Sequence, residues 1–141
     1  MTRAPHAGRC LARLADLGTP VVQVWGWPGS GRSAVLAALL ERPDARALAP
    51  ADLSDAPRRR RAVAAAHSAG SRWLVLPSLP READPRALAE DLAEELPADC
   101  RLVFASRRRV ALPELHAGLL GPRDLALDAA EVAALLAEAG G

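Results

Sequence analysis

Lysine, isoleucine, asparagine and tyrosine are missing altogether from these 141 residues, and the aromatic side chains amount to one Phe and three Trp. The codons of all four missing types are rich in A and T, so a strongly GC-rich coding sequence accounts for the bias without functional meaning. Every one of the 18 positive side chains is therefore an arginine, set against 17 carboxylates for a formal charge of +1. Such a balance excludes a polyanion-binding tail. No apolar run approaches the ~20 residues that span a bilayer. The opening stretch MTRAPHAGRC also lacks the apolar core of a signal peptide. A soluble, cytoplasmic chain with no membrane partner is the expectation. Cys10 and Cys100 have no cysteine or histidine near them at ligand spacing, which argues against a zinc site and for two buried thiols. His6, His67 and His116 stand singly among apolar or small neighbours, so surface or core packing is expected of each.

What is present is a half-hydrophobic chain rich in alanine, with short apolar runs alternating with helical patterns. Pro20-Val21-Val22-Gln23-Val24-Trp25 suits a strand buried on both faces of a parallel sheet. A helix is expected from Arg32 to Glu41, stopping before Pro43, and a weaker strand from Ala45 to Ala49. Asp55-Ala56-Pro57 reads as an N-cap with proline in the first turn, opening an arginine-rich helix that ends at Gly70. Trp73 to Leu76 is the third strand. Asp84-Pro85 opens a helix with Leu88, Leu92 and Leu96 on one stripe, closed by Pro97. Arg101 to Ala105 is the fourth strand and Leu125 to Leu127 the candidate fifth. Asp128 and Glu131 form a capping-box-like start for a last helix with Val132, Leu135, Leu136 and Ala139 on one face. A further helix is expected around Arg9 to Leu17, and 112–122 is the least regular stretch.

This alternation predicts right-handed crossovers and a three-layer α/β domain: a parallel sheet of about five strands with helices on both faces. One domain is expected, with an N-terminal helix in residues 1–20, a core at 21–127 and a C-terminal helix at 128–141.

The informative motif follows the first strand. Gly26-Trp27-Pro28-Gly29-Ser30-Gly31-Arg32-Ser33 fits the phosphate-loop pattern G-x4-G-K-[ST], with Arg32 where lysine is usual. Glycines let the backbone curl its N–H groups around a phosphate, and the following helix adds the positive end of its dipole. Gly26, Gly29, Ser30, Gly31 and Arg32 are the candidate phosphate cradle, and the Ser33 hydroxyl is the candidate magnesium ligand. Arg32 keeps the charge but brings a wide planar fork in place of a slender point charge. The bland alternative is a Gly/Pro/Ser turn joining strand to helix.

A working phosphate-loop NTPase also needs a strand ending in a carboxylate that holds magnesium. The candidate strand ends in Pro77-Ser78, although aspartate occurs at nine other positions. Glu82 and Asp84 come later, Asp84 as a helix cap. Weak or absent magnesium binding, and little or no hydrolysis, are the expectation.

The order of motifs resembles the signal-transduction ATPases with numerous domains, the STAND class of phosphate-loop NTPases, and among them the ATPase module of large LuxR-type transcriptional regulators. The resemblance is carried by Arg101-Leu102-Val103-Phe104-Ala105-Ser106-Arg107, which matches R-L-V-x-x-S-R. A second segment carries it too: Leu125 and Leu127, followed by Glu131, Leu135 and Leu136, match L-x-L-x3-E-x3-L-L. It covers about residues 9 to 139. By it, Ser106 and Arg107 look like the sensor of the terminal phosphate, and Arg9 lies towards the adenine side. ATP or ADP is the implied ligand. Signalling or transcriptional regulation through a protein partner or fused domains is the implied role. Family members continue into a helical lid, a winged helix, sensor repeats and usually a DNA-binding domain, so the chain resembles the nucleotide-binding core alone, as a fragment or a shortened protein. The alternatives are an interaction scaffold of the same fold that binds no nucleotide and, last, an active ATPase.

Two arginine runs, 58–61 and 107–109, hold seven of the 18 arginines. No aromatic side chain is interleaved for base stacking, so solvated faces are expected rather than a nucleic-acid surface. Trp25 and Trp27 flank the loop, with packing as their expected role.

Overall fold

The computed structural model describes residues 7–26, 31–80, 83–112, 117–126 and 137. Its elements run α1 (Ala7–Leu17), β1 (Val21–Trp25), α2 (Arg32–Leu40), β2 (Ala45–Ala47), a 3-10 turn (Pro50–Leu53), α3 (Ala56–Ser68), β3 (Trp73–Leu76), α4 (Pro85–Glu95), β4 (Arg101–Ser106), β5 (Gly118–Leu120) and α5 (Pro122–Leu125). All strand pairs are parallel and form one sheet in the order β2-β3-β4-β1-β5. This is the expected α/β architecture. No helix of the described residues is long and apolar enough to cross a membrane.

The period-two alternation of each strand splits the core in two. Val22, Val24, Val75, Val103, Ala105 and Leu120 face one side, where Cys10 and Leu14 of α1, Val35, Leu36 and Leu39 of α2, and Leu125 of α5 cover them. Val21, Leu74, Leu76, Leu102 and Phe104 face the other, under Val63 and Ala66 of α3 and Leu88, Ala89 and Leu92 of α4. Both sheet faces are thus buried, which explains why the inner strands β1, β3 and β4 read as near-continuous apolar runs.

Sequence punctuation sets the helix ends. Asp55 accepts a hydrogen bond from Arg58 N at 2.8 Å and Asp84 accepts one from Arg86 N at 3.0 Å, each with proline in the first turn behind it. The fifth strand corrects an expectation. It is Gly118–Leu120, within the stretch that read as irregular, whereas Leu125 closes a short helix and Leu127 lies outside the described residues. Three residues are too few to show a period, and Pro122 at the start of α5 sets φ for a helix, not for a strand. The last expected helix, from Asp128, lies outside the described residues except for Ala137, which is helical.

Gly118 has no room for a side chain. A Cβ there would sit 2.7 Å from Thr19 Oγ1, 2.8 Å from Leu17 Cδ1 and 3.3 Å from Val22 Cγ2. Gly118→Ala is expected to destabilise the fold by about 1–3 kcal/mol through overpacking, seen as a lower urea midpoint with unchanged slope.

The strand order places the functional end. The chain leaves β1 for α2 on one face, while the segment leaving β4 packs Val110, Leu112 and Ala117 against the core of the other face. Adjacent parallel strands that send their chains to opposite faces leave a crevice at their carboxyl ends, the usual ligand site of open α/β sheets.

Candidate functional site

That crevice is a cleft of about 720 Å³ lined by Arg32, Ser78, Ser106, Arg107 and Arg108, with Pro50, Pro77, Pro80 and Pro85 among its walls. It draws together three stretches far apart in sequence: the start of α2, the end of β3 and the end of β4.

Gly26 is buried at the end of β1, and its N–H donates to Ser106 O at 3.1 Å, so the loop departs directly beside the candidate sensor. Gly29 and Ser30 lie outside the described residues, as does Trp27. Gly31 precedes α2 with φ +101°, a left-handed backbone that costs any residue with a β-carbon, which is why glycine stands there. Arg32 opens α2 and lines the cleft, but its Nη1 donates to Gly26 O at 2.8 Å, folding the guanidinium back over the base of the loop. Ser33 is exposed in the first turn of α2. Trp25 packs at the end of β1 with its indole Nε1 2.8 Å from where a Gly121 Cβ would stand.

Ser106 Oγ donates to Gln23 Oε1 at 3.2 Å. Arg107 and Arg108 are exposed and line the cleft. Pro77 and Ser78 occupy the lip of β3 where a metal-binding carboxylate belongs in an NTPase. Asp84 is committed to capping α4, and Glu82 lies outside the described residues. The described lining therefore carries three arginines and no carboxylate. Phosphate fits this donor set: guanidinium forks bind it bidentately, and the amino end of α2 adds its dipole. Magnesium fits poorly, since it asks for one or two carboxylates and the described residues at the cleft offer only serine hydroxyls.

Arg9 lies away from the cleft. It donates to Asp124 O at 2.9 Å and to Ala126 O at 2.6 Å, tying α1 to α5.

One residue that matters here carries no motif. Gln23 is only 3% exposed in the middle of β1. Its Nε2 donates to Val110 O at 2.9 Å, while its Oε1 accepts from Val110 N at 2.6 Å and from Ser106 Oγ. The amide thus pins both ends of the Ser106–Val110 turn, which carries Arg107 and Arg108, to the strand that carries the phosphate-loop motif. The signal was a lone amide in the run Val-Val-Gln-Val-Trp, since a buried polar group needs partners.

The arginine run of α3 divides. Arg58, Arg60 and Arg61 are exposed, as solvated faces require, but Arg59 is only 8% exposed. Its Nε and Nη2 bind Glu95 Oε2 and Oε1 at 2.8 and 2.7 Å, a bidentate pair between α3 and α4. The pair holds the Glu95 carboxyl below its ordinary range and raises the Arg59 guanidinium. Cys10 and Cys100 are both buried thiols outside any disulfide, as expected.

No protein-family model matches the chain, and no curated protein matches it either.

Proposed function

We propose that the chain is a degenerate, STAND-like nucleotide-binding regulatory module, taking ATP or ADP in the cleft at the carboxyl ends of β1, β3 and β4, with little or no hydrolysis. The observation that carries this reading is the convergence of Arg32, Ser106 and Arg107 on one cleft whose described lining has arginines and no carboxylate. In such a site the guanidinium groups of Arg32, Arg107 and Arg108 neutralise the phosphates in place of a metal, and Ser106 reports on the terminal phosphate through Gln23. A regulatory switch follows only if nucleotide binds two arrangements of the module, or of the module and its partner, with different affinity.

One observation favours a second reading, an interaction scaffold without nucleotide. Arg32 Nη1 is already hydrogen-bonded to Gly26 O, so a phosphate must either take up the remaining N–H groups in that pose or draw the side chain away from the loop.

The test is a titration of the protein with ATP and ADP, with and without magnesium, followed by calorimetry and tryptophan fluorescence. Binding that is insensitive to magnesium and weakened about ten- to a hundredfold in Arg32→Ala, the worth of a charge-assisted hydrogen bond, is the expected result. No binding up to about 1 mM nucleotide overturns the proposal in favour of the scaffold. Turnover that requires magnesium and vanishes on substituting Glu82 or Asp84 overturns it in favour of an ATPase.

A further inference from the structure

At the other end of β4, His67, Asp99 and Cys100 meet. His67 is near the carboxyl end of α3, and Asp99-Cys100 immediately precedes β4. His67 Nε2 lies 3.0 Å from Asp99 Oδ1, and Cys100 Sγ lies 4.0 Å from the same oxygen. The three potential ligand atoms all fall within 4.8 Å of one another. We propose that this triad is a binding site for a zinc-type divalent cation, held by His67 Nε2, Asp99 Oδ1 and the Cys100 thiolate, with water in a fourth position.

The geometry supports it. Zinc takes nitrogen and carboxylate oxygen at ~2.0–2.2 Å and thiolate sulfur at ~2.3 Å in a tetrahedron, so ligand atoms end roughly 3.3–3.8 Å apart. Two of the separations, 3.0 and 4.0 Å, lie on either side of that range and the third is within 4.8 Å, so closing the shell asks for side-chain shifts of at most about an ångström at one surface site. The donor set selects the ion: one imidazole, one thiol and a single carboxylate suit zinc or cobalt, not the all-oxygen shells of calcium and magnesium.

The surroundings also fit. Arg72 Nε lies 3.5 Å from Asp99 Oδ2, the oxygen that the cation does not use, and so orients the carboxylate with Oδ1 inward. The Cys100 thiol donates to Ser71 O at 3.3 Å. Binding releases that proton to solvent, yet Ser71 O keeps a donor, Arg72 Nη1 at 3.2 Å. No buried acceptor is left bare. Cys100 is buried, whereas Asp99 is exposed and His67 half-exposed, which opens the site to solvent on one side only.

The test is a titration of the metal-free full chain with Zn(II) by calorimetry and with Co(II) by absorption. One equivalent of metal, tetrahedral-type cobalt bands and a thiolate-to-cobalt charge-transfer band are expected. His67→Gln and Asp99→Asn, at exposed or half-exposed positions, should each weaken binding at least roughly tenfold. Cys100→Ala should abolish the charge-transfer band, and Cys10→Ala should change nothing. Absence of binding, a cobalt spectrum without the thiolate band, or affinity indifferent to His67→Gln overturns the proposal. Because the site is remote from the cleft, none of these outcomes bears on nucleotide binding.

Discussion

Gln23→Leu is expected to cost the fold about 3 kcal/mol and, on the proposed function, to weaken anion binding in the cleft, although leucine nearly matches glutamine in volume. The cost comes from the groups left behind. Val110 N, Val110 O and the Ser106 hydroxyl all bond to this one amide. A polar group stripped of its partner costs about 1–3 kcal/mol where water cannot replace it. Partial solvation of the turn brings the sum to the lower part of the additive range. Urea unfolding measures the stability, and hydrogen exchange at Val110 N measures the release of the turn. A loss under about 1 kcal/mol would show that the amide does not hold the turn. The functional effect is indirect: Arg107 and Arg108 keep their charges but lose their fixed place, so anion binding weakens while its salt dependence survives.

The second large effect concerns Arg59 and Glu95, whose side chains are only 10% and 14% exposed. Glu95→Gln is expected to destabilise the chain by about 3 kcal/mol near neutral pH, because it removes the bidentate partner and leaves the buried Arg59 guanidinium only the looser contact with Asp91, at 3.9 Å. In melting temperature this is roughly 10 °C for a domain of this size. The sign with pH follows from the depressed Glu95 carboxyl. Its contribution is fully present above the pKa of the unfolded chain and is lost as pH falls through the lower folded value. The deficit of Glu95→Gln should therefore shrink in acid, where the parent loses the same interaction. The raised Arg59 guanidinium adds no further pH dependence in the working range, since it stays charged in both states. The double variant Arg59→Met, Glu95→Leu should recover most of the stability, because two apolar side chains leave no buried charge unpaired, and Asp91 and Arg60, which lose these partners, are exposed. Thermal melts from acidic to neutral pH test all three statements. A Glu95→Gln deficit that grows in acid would contradict them.

The architecture was legible in the sequence because its signals are local. Short, mostly apolar runs gave β1 and β4, the Asp-x-Pro and Asp-Pro openings gave α3 and α4, and their spacing gave the parallel sheet. β5 escaped because three residues carry no period and the turn chemistry around them resembles a loop. The cleft was half legible. Gly26, Gly31, Arg32, Ser106 and Arg107 stand in recognisable patterns, but Arg108 lines the cleft only because the turn after β4 bends it there. Gln23 was hidden for a different reason: a buried amide shows its importance only when its partners are known, and Val110 is 87 residues away. Arg59 was hidden in the same way, looking like three solvated neighbours until α4 brought Glu95 against it. His67 and Cys100, 33 positions apart in sequence, show no ligand spacing at all.

The two walls of the cleft also differ in stiffness. β1 and β4 are paired along five consecutive positions, and Gln23 locks the turn beyond them to the same plate. The opposite rim is a single run of chain after β3 in which Pro77 and Pro80 fix φ and offer no N–H to any ladder. Of the two residues between them, Leu79 is restricted by the proline that follows it, which leaves Ser78 the less constrained. A cleft built this way cannot widen by parting its strands. Any change in its width falls to the rim after β3, with the arginine plate as a fixed frame.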